Sequence, residues 1–112
     1  METTRQKKVA RLLQKELGEI FQRESNTMFG GAFITVTGVR ISPDLSVAKT
    51  YLSIFVVKDR DLVMKNVKKQ TKEIRTKLGE RIKQQLRIVP NLDFHIDDSL
   101  DYAEKIDNLL KK

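Results

Sequence analysis

Few side chains in this 112-residue sequence could take part in bond-making chemistry, and none has the company such chemistry needs. His95 is the only histidine, and it stands between Phe94 and Ile96 in an alternating polar–apolar run that turns it outward as a surface residue rather than a general base. Asp93, Asp97, Asp98 and Asp101 form an acidic cluster of the kind that could hold Mg²⁺, but the spacing is not that of a calcium loop, and Asp98 is better used as a helix cap. Phe29-Gly30-Gly31 is too short for a phosphate-binding loop and lacks the lysine that follows one. Cysteine is absent, which removes thiolate metal sites, cysteine nucleophiles and disulfides together. With no acid, base and nucleophile set, the sequence reads as a non-enzyme with no metal and no cofactor.

Positive charge is the abundant resource. Lys and Arg number 22 against 15 Asp and Glu, a net charge of +7 that points to a polyanionic partner. The charge is unevenly spread: residues 58–87 alone carry +7, residues 1–24 carry +2, residues 25–57 carry +1 and residues 91–112 carry −3. On a helical wheel Val63, Val67 and Ile74 cluster on one side, while Lys65, Lys68, Lys69 and Lys72 fall opposite. Lys83 and Arg87 continue the basic side and Arg75 lies at its edge. Such a stripe suits a phosphate backbone, since each neutralised phosphate releases condensed counterions. Arg5, Lys7, Lys8 and Arg11 either extend the patch or decorate a frayed helix start. The competing reading is an ordinary solvated face, in which Glu73 and Lys77 make a four-apart pair. Trp is absent, and Phe33, Tyr51 and Phe55 read as sheet core rather than as a stacking platform. Recognition is therefore expected through backbone and shape.

The elements that position these residues follow from periodicity. Thr3 and Gln6 make a capping box for a helix over Thr4–Glu24 with Val9, Leu12, Leu13, Leu17, Ile20 and Phe21 at helical spacing. Ser25–Gly31 reads as a loop. A strand over Ala32–Ser42 changes phase between Val36 and Val39, which predicts a bulge at Gly38, and Ser42-Pro43-Asp44-Leu45 is type I turn chemistry leading into a second strand over Ser46–Val57. A long helix over Asp61–Arg87 stops before Pro90. Straight, it would extend about 40 Å, so a bend is expected, most naturally at Gln70–Lys72, where the apolar row skips from Val67 to Ile74. Leu92, Phe94 and Ile96 form a third strand. Ser99 or Asp98 then caps a last helix carrying Leu100, Tyr102, Ala103, Ile106, Leu109 and Leu110. The fold class is α+β, a three-stranded sheet packed on helices in one domain over residues 1–112. No apolar run approaches a membrane span or a signal-peptide core, so a cytoplasmic monomer is expected.

Two segments carry a family resemblance. Ser42-Pro43-Asp44-Leu45-Ser46-Val47-Ala48-Lys49-Thr50-Tyr51-Leu52-Ser53 is similar to the Ser-x-Asp-Leu-x-x-Ala-Lys-x-Tyr-x-Ser pattern of bacterial ribosome-binding factor A. Arg87-Ile88-Val89-Pro90-Asn91-Leu92-Asp93-Phe94, with Asp97 and Ser99, resembles that family's second pattern, and Val9-Ala10 and Gln22-Arg23-Glu24 resemble its first helix. The resemblance covers nearly the whole chain. It implies a KH-like fold of type II topology, ordered α-β-β-α(kinked)-β-α, and a ribosome assembly factor with the small ribosomal subunit and 16S rRNA as partners. It further implies a role in late rRNA maturation, linked to growth in the cold. The family's Ala-x-Gly kink falls here on Gln70-Thr71-Lys72, which has no glycine, and Asn26-Thr27-Met28-Phe29 lacks the family's Asp-Pro pair. A generic KH-like module for single-stranded nucleic acid, or a protein-interaction domain with solvated lysines, stays open as an alternative.

Overall fold

Helix α1 (Thr4–Arg23) starts at the expected capping box: Thr3 Oγ1 accepts the Gln6 N–H at 3.1 Å and Gln6 Oε1 accepts the Thr3 N–H at 2.8 Å. Gln6 itself is buried, and its Nε2 donates to the Ile41 carbonyl at 3.0 Å, so one side chain caps the helix and fastens it to the sheet. The computed structural model describes residues 2–55 and 59–97; the last helix expected from Ser99 or Asp98, with Leu100 to Leu110, lies outside the described residues, as does the strand end at Val56 and Val57.

Two strands follow, β1 (Phe33–Ile41) and β2 (Val47–Phe55), paired antiparallel with Phe33 opposite Phe55 and Ile41 opposite Ala48. The register shifts between Val36 and Gly38, so the extra residue is Thr37, one position before the glycine. This shift brings Ile34, Val36, Val39 and Ile41 onto the core side despite their opposite parities. Two side chains support the bulge: Gln14 Nε2 donates to the Val36 carbonyl at 3.2 Å, and the Thr37 hydroxyl lies 2.6 Å from Asp97 Oδ2. The turn between the strands closes with the Leu45 N–H donating to the Ser42 carbonyl at 2.9 Å, and Leu45 takes a left-handed φ of 62° that most non-glycine residues avoid. Asp44 offsets that strain by accepting from the Ser42 and Ser46 hydroxyls, each at 2.7 Å, and from the Ser46 N–H at 3.1 Å.

Helices α3 (Arg60–Lys69) and α4 (Thr71–Ile82) stand where one long helix was expected. The break at Gln70 falls inside the stretch singled out for a bend, whereas the end at Ile82 corrects the expectation of a helix through Arg87. Strand β3 (Asn91–Ile96) then adds to β2 in parallel, with Tyr51 opposite His95, giving the sheet order β1-β2-β3. A parallel neighbour needs a long crossover, which α3 and α4 provide. The residues read as a loop after α1 contain instead a single helical turn, α2 (Ser25–Met28).

All helices that contribute to the core cover one face of the sheet. Leu13, Leu17 and Phe21 of α1 and Ile74, Leu78 and Ile82 of α4 are fully buried with Leu52 of β2, and Phe94 of β3 meets Phe21 edge-on with ring centres 5.8 Å apart. The opposite face carries the other row of each strand. Phe33, Tyr51 and Phe55 lie there, not in the core as expected, because the core row of β2 is Ala48, Thr50, Leu52 and Ile54. Phe33 is 52% exposed and rests against Phe55 with ring centres 5.9 Å apart.

Candidate nucleic-acid interface

Helix α3 begins at Asp59, whose side chain accepts the Leu62 N–H at 3.1 Å. Met64 and Val67 turn inward, and the pattern leaves Lys65, Lys68 and Lys69 exposed, joined by Lys72 from the first turn of α4. Among the described residues none of these four lysines forms an ion pair. Side chains hold the junction between the helices without any glycine. Asn66 Nδ2 and Gln70 Nε2 both donate to the Met28 carbonyl, at 2.8 and 2.7 Å, and Gln70 Nε2 also reaches Asn66 Oδ1 at 2.8 Å. The Thr71 hydroxyl donates back to the Lys68 carbonyl at 2.8 Å, while the Gln70 N–H is shared between the Asn66 and Val67 carbonyls, each at 3.1 Å. A Gln-Thr pair anchored on a neighbouring loop thus performs the bend that the resemblance assigns to a glycine kink.

Between α3 and the edge strand β3 runs a groove of about 620 Å³ lined by Asp61, Met64, Lys65, Lys68, His95 and Ile96. It places two of the lysines beside β3, the edge strand of the sheet among the described residues. His95 is partly exposed as expected, with Nε2 2.9 Å from Asp93 Oδ2 and its ring 5.8 Å from that of Tyr51. The groove was not foreseen, because it depends on which sheet edge the helix pair covers.

Three other cations of residues 58–87, Arg75, Lys77 and Arg81, are committed to the fold. Arg75 is half-buried and donates through Nε to the Pro90 carbonyl at 3.1 Å and through a terminal nitrogen to the Val89 carbonyl, which fixes the connector between α4 and β3. Arg81 donates to Glu16 and Glu19 of α1, both at 2.8 Å. The hydrogen bond to Glu16, reinforced by the two carboxylate charges, raises the Arg81 guanidinium above its ordinary value. Lys77 lies 3.9 Å from Glu24, the C-cap residue of α1, and not in an ion pair with Glu73 on its own helix. Lys83 is exposed where α4 ends. Arg87 sits beyond the helix, so the stripe does not run on through it; it shares a hollow of about 210 Å³ with Arg5, Asp44, Ser46 and Pro90. Lys7, Lys8 and Arg11 are exposed on α1. Of the eleven expected site residues, Lys65, Lys68, Lys69 and Lys72 gather at the α3–α4 junction, Arg5 and Arg87 lie near the hairpin turn, Arg75 is a positioning residue, and Lys7, Lys8, Arg11 and Lys83 stay exposed outside these groups. Among the described residues no group of three metal-binding side chains occurs, and no helix is long and apolar enough to cross a membrane.

A family model described as ribosome-binding factor A matches residues 5–110. The chain belongs to the ribosome-binding factor A family. Ribosome-binding factor A of Cytophaga hutchinsonii is 53% identical over 112 residues, which cover all of this chain and 84% of that protein. The Flavobacterium johnsoniae relative is 47% identical over 111 residues, covering 98% of this chain and 85% of its own length. The crystal structure of ribosome-binding factor A from Thermus thermophilus superposes with a TM-score of 0.67 at 22% identity, over 81% of this chain and 94% of that one. A homology model of the Thermus thermophilus protein, fitted into a cryo-EM map of a 30S–RbfA complex, gives a TM-score of 0.64 at 24% identity over 80% and 91% of the two chains. These likenesses establish the KH-like α+β fold.

Proposed function

We propose that this chain is a non-catalytic assembly factor that binds the small ribosomal subunit in the cytoplasm, as a single domain, and assists late maturation of 16S rRNA. The observation that carries the reading is the set of exposed, unpaired lysines, Lys65, Lys68, Lys69 and Lys72, gathered at the α3–α4 junction of a ribosome-binding factor A family member. Phosphates would lie along these lysines and enter the groove toward β3, with Lys83, Arg87, Arg5, Lys7, Lys8 and Arg11 adding longer-range attraction. Arg75 acts by holding the connector in place. A relative described in complex with the 30S subunit supports the choice of partner. The test is genetic complementation. Cells depleted of the protein should accumulate 16S precursor with unprocessed ends. Wild type should clear that precursor, and a folded Lys65→Glu, Lys68→Glu, Lys72→Glu variant should not. Normal end processing in depleted cells would overturn the assignment.

A further inference from the structure

The flank of α3 that faces away from the β3 groove carries a second hollow, of about 480 Å³, lined by Phe29, Gly30, Ala32, Leu62, Val63, Lys65, Asn66 and Lys69. Its floor is rigid. Phe29 and Ala32 are each only 2% exposed, and the Phe29 ring packs against Phe21 with centres 5.1 Å apart. Gly30 and Gly31, with φ of 61° and 82°, bend the loop around it in a conformation that side chains rarely adopt. The Asn66 and Gln70 amides both donate to the carbonyl of Met28, the last residue of α2, and so fasten the chain just before that loop to α3 and its C-terminal end. A preformed hollow costs little ordering entropy to fill.

At the mouth stands Leu62, 63% exposed on the first turn of α3, an apolar side chain for which the fold has no burial. Three and seven residues on, along the same side of the helix, come Lys65 and Lys69, and among the described residues no acidic one lines the hollow. Lys65 forms the ridge shared with the β3 groove, so this hollow is continuous with the lysine surface. An apolar cleft rimmed by cations selects a ligand that is flat or apolar at one end and anionic at the other. A nucleotide of single-stranded RNA has that character: a base to set against Leu62 and Val63, and phosphates for the two ammonium groups. A hydrocarbon-only partner would leave both lysines without purpose.

We infer that this hollow receives one unstacked base of the RNA strand whose phosphates lie on Lys65 and Lys69, an inference that rests on the rRNA-binding reading above. Leu62 is then a specificity-determining contact, adding base recognition to an otherwise backbone-reading surface.

The experiment measures affinity of the full chain for purified small ribosomal subunits from about 50 to 300 mM KCl. Wild type is compared with Leu62→Gln and with a Lys65→Gln, Lys69→Gln double variant, after melting curves show that each is folded. Leu62→Gln should weaken binding about tenfold at every salt concentration with the salt slope unchanged, because it removes an apolar contact and no charge. The lysine variant should reduce the slope. If Leu62→Gln binds like wild type while the lysine variant loses slope, the base pocket is wrong and the rRNA reading stands. If neither variant changes anything, both fall. A photo-crosslinker placed as Leu62→p-benzoylphenylalanine should capture 16S rRNA; capture of a ribosomal protein instead would overturn the assignment of a base.

Discussion

Arg81 and Lys65 look alike in the sequence, both cations on an amphipathic helix, yet one is structural and the other presented to solvent. The difference lies in what α1 brings opposite each: Glu16 and Glu19 meet Arg81, and among the described residues no carboxylate forms an ion pair with Lys65, although Asp61 lines the same groove. No helical wheel of residues 58–87 contains that information, so the lysines at the junction were legible from sequence while the commitments of Arg75, Lys77 and Arg81 were not. Replacing Arg81 by Leu leaves two partly buried carboxylates uncompensated and should cost about 1–2 kcal/mol, read from the urea midpoint with the slope unchanged. A companion Glu16→Gln, Glu19→Gln change in that background should restore part of it. Asp44 makes a different prediction. Hydrogen bonds from the Ser46 hydroxyl first, then from the Ser42 hydroxyl and the Ser46 N–H, hold its carboxyl below the usual carboxylate range. A lowered value in the folded state means a contribution to stability that is present above the ordinary carboxylate pKa and is lost as pH falls through the lowered one. Melting temperatures followed from pH about 5 down to about 2 should therefore decline less steeply in Asp44→Asn than in wild type.

Most elements were legible because the hydrophobic period is strong, and the exceptions have tertiary causes. The bulge in β1 could be read from the parity change between Val36 and Val39, although the extra residue proved to be Thr37 and not Gly38. Nothing local stops α4 at Ile82, since Lys-Gln-Gln-Leu-Arg are good helix formers. The chain is drawn back there. Arg75 grips the Val89 and Pro90 carbonyls, and Val89 packs so near Gly79 that a β-carbon added to the glycine would sit 3.1 Å from Val89 Cγ2. The α3–α4 bend was legible as a gap in the apolar row, but its mechanism depends on Asn66 and Gln70 reaching the distant Met28 carbonyl. Converting both to Ala leaves that carbonyl without its side-chain donors and should cost about 1–3 kcal/mol. Hydrogen exchange should rise in residues 28–32 and around Gln70 before it rises in α1. Equal protection in the variant and wild type would show that the bend is held by backbone preference alone.

At the scale of the molecule, the fold sorts its charge. Arg75, Lys77 and Arg81, which α1 or the β3 connector can use, are drawn inward, while Lys65, Lys68, Lys69 and Lys72 stay exposed on α3 and the first turn of α4, beside a groove and an apolar hollow. The place of Phe33 and Phe55 on the sheet face opposite the core was missed because strand alternation identifies two rows without saying which one the helices will cover. If the lysine surface is what meets the ribosome, binding must be electrostatic in a way that counts lysines. Cosedimentation with purified small subunits across a salt series measures this directly. Log affinity should fall linearly with log salt, and replacing Lys65, Lys68, Lys69 and Lys72 by Gln should lower that slope by roughly two to three, at about 0.7 for each phosphate no longer neutralised. Binding by the quadruple variant with the wild-type affinity and slope would contradict the account.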